Sequence, residues 1–362
     1  MATISHLAFY MVLLFGMYAL AFQFSNFRPS KGLEYLLNAL FISVLAITAY
    51  SVWLGPGADL ARYYMILDDM RVMTLPEALM YGHYKNTIIT NVFMWSISQT
   101  GNNQLLPFLS TFIITGNIFY LISLEQNRTQ MSHATKLNYL VLLFAVVTLA
   151  TITTCVRHAW MMSVFAIAVY RDLILHKRNF VTILLYAAVP CIHTSGLMLI
   201  LVRLYSLLKG KWKLVIIFWI FLVPYLQRFV GLENIFGEAS RKLFAYQQYG
   251  AEGLDIRWRL ARMGFLCVMT FICYRMRKTT NNRLYHNFYA SLLLFTWGSI
   301  SVAQVMYRLT DCAAFMSLPL LNDFAQTQSK QEIFIIKAWL TFICLGLFAY
   351  HGVFLKTSIN FI

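Results

Sequence analysis

The chain has 362 residues, 59% of them hydrophobic and only 12% charged, with a net charge of +15. Soluble domains carry about 25% charged residues, so an ordinary soluble enzyme is excluded. The cations sit in short loops between apolar runs, as the positive-inside rule expects, and the excess does not call for a nucleic-acid partner. A backbone in lipid must satisfy its own hydrogen bonds, so only helices or a closed barrel span a membrane. Continuous apolar runs rather than alternation select helices. The expected fold is all-α: one multi-pass membrane domain over 1–362, with about 12 transmembrane helices and external loops at about 53–86 and 231–257. Six cysteines, scattered mostly within apolar runs and forming no CxxC pair, point to neither a metal nor a disulfide.

The first apolar run, His6–Phe22, lacks a basic flank and a small-residue cleavage site and reads as a retained span. Arg28 and Lys31 place the next loop inside, and a span over Tyr35–Val52 returns outward to the Gly55-Pro56-Gly57 turn. The polar segment that follows has mixed charge, with Asp59, Arg62, Asp68, Asp69, Arg71, Glu77 and His83, and fits an external loop with short helices. Thr87–Ser98 is too short to cross and reads as a re-entrant or interfacial helix. Leu105–Leu124 crosses to a loop with Arg128 and Lys136.

Two hairpins of short apolar runs come next. Tyr139–Ala150 and Met161–Tyr170 flank Arg157, which is placed at a membrane face at the start of the second helix. Phe180–Cys191 and Leu197–Leu208 flank the turn Ile192-His193-Thr194-Ser195-Gly196. Basic residues Arg171, Lys177 and Arg178 lie between the hairpins, so Arg157 and His193 fall on the same, outer face. A buried arginine is costly in hydrocarbon and usually faces a wet cavity, and at a helix N-terminus it is well placed to hold a diphosphate. Further on come a span over Leu214–Val230, an external loop, and three arginines against the topology rule, Arg257, Arg259 and Arg262. The remaining spans are drawn from Arg262 to Arg275, then at Phe288–Val305, Cys312–Phe324 and Ile333–Val353, with Arg308 and Asp311 at an outer end.

Four features together resemble the EpsG/Wzy group of bacterial polysaccharide polymerases. They are Asp59-x-x-x-Tyr63 after the second span, Arg157-His158-Ala159 opening a middle span, the turn His193-Thr194-Ser195 two spans on, and Arg308 followed by Pro319 in a late span. His158 departs from the glutamine usual in that group, and the region 87–104 is less regular. The resemblance implies a GT-C-like glycosyltransferase architecture without metal or other cofactor. It implies transfer of a growing chain from undecaprenyl diphosphate to the next lipid-linked oligosaccharide repeat unit, on the outer face of the bacterial cytoplasmic membrane. Partners would then be lipid-linked donor and acceptor, membrane lipid, and a chain-length regulator protein.

The chemistry has its own requirements. A leaving diphosphate needs fixed positive charge, which arginine supplies through bidentate bonds without titrating; Arg157, Arg308 and one of Arg257, Arg259 or Arg262 are the candidates. The acceptor hydroxyl needs a base, and His193 or Asp59 is the candidate. Arg62, Tyr63 and His158 are candidate substrate-binding neighbours. No phosphate-binding glycine loop for a nucleotide occurs in the chain. Competing readings are kept: another lipid-linked-sugar glycosyltransferase or ligase, a flippase of the lipid-linked unit, an acidic pair at Asp68-Asp69 working with a divalent metal, and Asp59–Arg62 as a merely local i,i+3 pair.

Overall fold

The computed structural model describes residues 30–51, 59–81, 87–208, 256–278, 282–300 and 302–342. All regular structure among them is helical. Two units can be separated, one ending at Met198 and the other beginning at Leu199. The expected spans at His6–Phe22 and Leu214–Val230 and the loop up to residue 255 lie outside the described residues.

The first unit is built around two helices long and apolar enough to cross a membrane, α1 (Lys31–Tyr50) and α5 (Leu105–Thr129). At 1.5 Å per residue they run roughly 30 and 37 Å, enough for a bilayer core. Ser30 starts α1 by accepting the Leu33 amide. The pair pack side by side, with the Phe41 and Phe119 rings 5.6 Å apart. Between them in sequence come α2 (Asp59–Met70), the five-residue α3 (Leu75–Leu79) and α4 (Ile88–Ser98). In α3 the Glu77 carboxylate accepts both the amide and the hydroxyl of Thr74, which holds it below the usual carboxylate range. The short apolar α4 packs on α2, α3 and α9 (Phe180–Ile192).

After α5 the expected run over Tyr139–Ala150 is not one helix. α6 (His133–Val146) stops at Val147, and α7 (Leu149–Thr154) starts afresh where the Thr148 hydroxyl accepts the Thr151 amide at 3.1 Å. A threonine hydroxyl that bonds the backbone three residues on favours this capped break over continued helix. A second break at Cys155 opens α8 (Val156–Val169), buried on nearly every side and running into a π turn at Tyr170–Ile174. The second hairpin follows the sequence closely: α9, the turn at 193–195, then α10 (Gly196–Leu207).

The two ends of α5 differ in chemistry. Near its start, Gln104 accepts the Tyr64 hydroxyl of α2 at 2.7 Å. Near its other end the fully buried Glu125 accepts Arg128 at 2.6 Å and the Tyr170 hydroxyl at 2.6 Å, while Lys136 bonds Glu34 and Asn38 at 2.7 and 2.8 Å. Arg128, Lys136 and the end of α8 thus gather at the end of α5 away from α2.

In the second unit α11 (Ile256–Met276) continues the arginine-rich stretch. The run drawn at Phe288–Val305 is broken: α12 (Arg283–Gly298) ends in a turn at Ser299–Ile300, and α13 (Ala303–Phe315) begins after Val302. Likewise Cys312–Phe324 is divided at Met316–Ser317, because Pro319 fits the first turn of α14 (Leu318–Thr327) but not a helix interior. A helical stretch over 330–342 follows.

Candidate functional site

α2 presents Leu60, Tyr63, Ile66, Leu67 and Met70 on one face, a helical period that buries all five. Val156, the first residue of α8, is 1% exposed and packs into the same cluster. That contact carries the next residue, Arg157, to Tyr63. The Arg157 Nε–H donates to the Tyr63 hydroxyl at 3.1 Å, and the guanidinium carbon lies 5.4 Å from the ring centroid. Arg157 occupies the first turn of α8, as its position after the Cys155 break dictates, and is half-buried. Asp59 opens α2 and pairs with Arg62 one turn on, while its other oxygen accepts the Cys155 thiol at 3.7 Å. Arg62 is mostly exposed.

His193 ends α9 with an extended backbone, so the chain turns and Gly196 starts α10. A Cβ on Gly196 would meet Val189 Cγ1 at 2.5 Å and the Val189 carbonyl oxygen at 2.9 Å, so the turn requires glycine. Inside the turn, His193 Nδ1 accepts the Ser195 amide at 3.1 Å and lies 2.7 Å from Ser195 Oγ. The same Oγ is 3.4 Å from Nδ1 of the buried His158, and the two imidazole centroids are 5.4 Å apart. Thr90 of α4 donates to the Ile192 carbonyl at 2.7 Å, which braces the turn from the side.

Within the first unit, then, Asp59, Arg62 and Tyr63 meet Cys155 and Arg157, and His158 meets His193 through Ser195. Asp68 and Asp69 do not share a site: Asp68 pairs with Arg71 at 3.1 Å and accepts Asn103, whereas Asp69 accepts the Tyr81 hydroxyl. Ser195 stood in the His193 motif, and Cys155 two residues before Arg157, without a role. Their signal was proximity in sequence, since each flanks a candidate residue by one or two positions.

In the second unit Arg262 is 2% exposed and bound within the protein, to Asp311 at 2.8 Å and the Tyr307 carbonyl at 2.7 Å, with the Tyr307 ring 4.9 Å away. Arg308, half-buried on α13, lies in electrostatic reach of Asp311. Arg259, one turn before Arg262 on α11, is also half-buried. The Arg257 side chain lies outside the described residues.

Searches of curated proteins and of solved structures return no match. The EpsG family model matches residues 34–361, nearly the whole chain and both helical units. On that match the chain belongs to the EpsG family.

Proposed function

We propose that this protein is a membrane glycosyltransferase that polymerises undecaprenyl-diphosphate-linked oligosaccharide repeat units on the outer face of the bacterial cytoplasmic membrane. Family membership supports a polysaccharide polymerase. The observation that carries the site is Arg157, half-buried in the first turn of α8 and held on Tyr63, with Asp59 at the start of α2, His158 next to it on α8, and His193 at the end of α9, which packs on α8. A guanidinium in that setting binds a leaving diphosphate and neutralises the charge that develops as the glycosyl bond breaks.

The step itself balances simply. The acceptor hydroxyl gives its proton to a base, Asp59 or His193. Its oxygen attacks the anomeric carbon of the donor chain, and the bond to diphosphate breaks with the electron pair leaving on the phosphate oxygen. The diphosphate bond supplies the driving force, so the reading asks for no nucleotide. Arg308 and Arg259 are proposed as further ligands for anionic substrate groups; Arg262, committed to Asp311, is assigned to holding α11 against α13.

The outward orientation draws support from α5, whose ends separate Tyr64 and α2 from Arg128 and Lys136. The loop cations are read on the cytoplasmic side, and the Arg157 cluster accordingly at the other face. We read the apolar helices, with the segments outside the described residues, as about 12 spans in a GT-C-like arrangement, and a chain-length regulator as a partner. The test is Arg157→Ala in cells. Long polymer should disappear while the variant stays in the membrane; a normal chain-length ladder would contradict the proposal.

A further inference from the structure

We propose that α5 sets the axial position of α8, and that Ser163 and Tyr170 are thereby positioning residues for Arg157. The inference deepens the polymerase reading, because it rests on Arg157 as the ligand of the leaving diphosphate.

α8 starts at the break at Cys155, runs into the π turn at Tyr170 and is apolar along most of its sides. Apolar flanks can repack one turn further along, a slip of roughly 5.4 Å. A polar pair cannot, because the slip leaves its partner unbonded, and a buried polar pair therefore specifies register. α8 meets α5 in two such pairs. Asn117 of α5 donates to Ser163 Oγ at 2.9 Å, and that hydroxyl donates its own proton to the Trp160 carbonyl at 2.8 Å. Further along, the Tyr170 hydroxyl donates to Glu125 at 2.6 Å. Glu125 is fully buried, and Arg128 fixes it as an acceptor by reaching both of its oxygens, at 2.6 and 3.1 Å.

The pairs advance in the same direction on both helices, so α5 and α8 run parallel. Glu125 lies eight residues after Asn117, and Tyr170 seven after Ser163, which is roughly 12 and 10.5 Å of rise. The spacings agree to within one residue, and a slip of one turn breaks both bonds together. The same register puts Val156 in one buried cluster with Leu106, at the start of α5, and with the buried face of α2. α2 is tied to α5 separately, through the Tyr64 hydroxyl on Gln104 at 2.7 Å. Tyr63 and Arg157 therefore sit on two helices that are each pinned to α5, and their 3.1 Å hydrogen bond closes the ring. Ser163 and Tyr170 are six and thirteen residues beyond Arg157; they act through α8.

Two measurements test this. The first needs neither ligand nor turnover. Cys155, half-buried at the head of α8 against Asp59, reports where that end sits. In lipid discs, with alkylation followed peptide by peptide, Ser163→Ala and Tyr170→Phe should each speed labelling of Cys155, and the double variant most. Cys312, buried in the second unit, should keep its wild-type rate. Unchanged labelling of Cys155 in the double variant would overturn the proposal, and so would equal acceleration at Cys312, which marks general loosening. The second measurement is binding of undecaprenyl diphosphate carrying no sugar. Loss of one interhelical hydrogen bond should weaken it about threefold, and loss of both about tenfold. In the Arg157→Ala background the same substitutions should change nothing further. An equal loss with and without Arg157 would overturn the proposal, because the two residues would then act elsewhere. Wild-type protein that bound the diphosphate in the expected pattern and built no polymer would count against the polymerase reading and support the positioning.

Discussion

The Arg157–Tyr63 contact links the family motif to physical chemistry at the level of single residues. Tyr63 lies on the buried face of α2 because its spacing from Leu60 and Leu67 puts it there, yet its hydroxyl reaches the guanidinium. A hydrogen bond to a charged group is worth about 1.5–3 kcal/mol, and this one is partly open to solvent, so the lower end applies. Tyr63→Phe retains the ring beneath Arg157 and loses the hydroxyl. Transfer at saturating lipid-linked unit should fall about tenfold, since 1.4 kcal/mol corresponds to a factor of ten. A rate equal to wild type would show that the hydroxyl does not hold the guanidinium in its working position. Asp59 makes the local pair with Arg62, and the same carboxylate also reaches across to Cys155 at the α7–α8 break.

Among the elements, the second hairpin was the most legible. Its polar turn interrupts two apolar runs, and α9 and α10 begin and end within a residue or two of where the sequence puts them. The first hairpin was legible only in part. Arg157 at a helix start follows from hydropathy, but α7 and the break at Thr148 do not, because threonine hydroxyls that cap a turn look like ordinary polar residues in a hydropathy scan. The divisions at Ser299–Ile300 and Ser317 were missed for the same reason: each is shorter than the window that reveals a span. Gly196 makes the turn testable. A Cβ there would press on the Val189 backbone, which cannot retreat as a side-chain tip would. Overpacking of that kind costs about 1–3 kcal/mol, so Gly196→Ala should melt earlier in detergent and transfer more slowly. An unchanged melting curve would mean that the turn yields freely, and with it the placement of His193.

At the scale of the whole molecule, composition and loop charge were enough to predict helices and a membrane, and the family match agrees with the polymerase resemblance that four short motifs carried. The pairing of His158 with His193 through Ser195 was beyond sequence, because nothing in a linear pattern says that α8 and α9 pack with those ends together. Charge neutralisation is assigned to fixed guanidinium groups, Arg157 on Tyr63 first among them. The central claim is tested most directly with purified protein in lipid discs, given a synthetic undecaprenyl-diphosphate-linked repeat unit and no other protein. The account predicts a ladder of products, each longer by one repeat, from wild type, and none from Arg157→Ala at equal protein. Addition of a single unit without a ladder, no transfer at all by wild type, or an intact ladder from Arg157→Ala would contradict it.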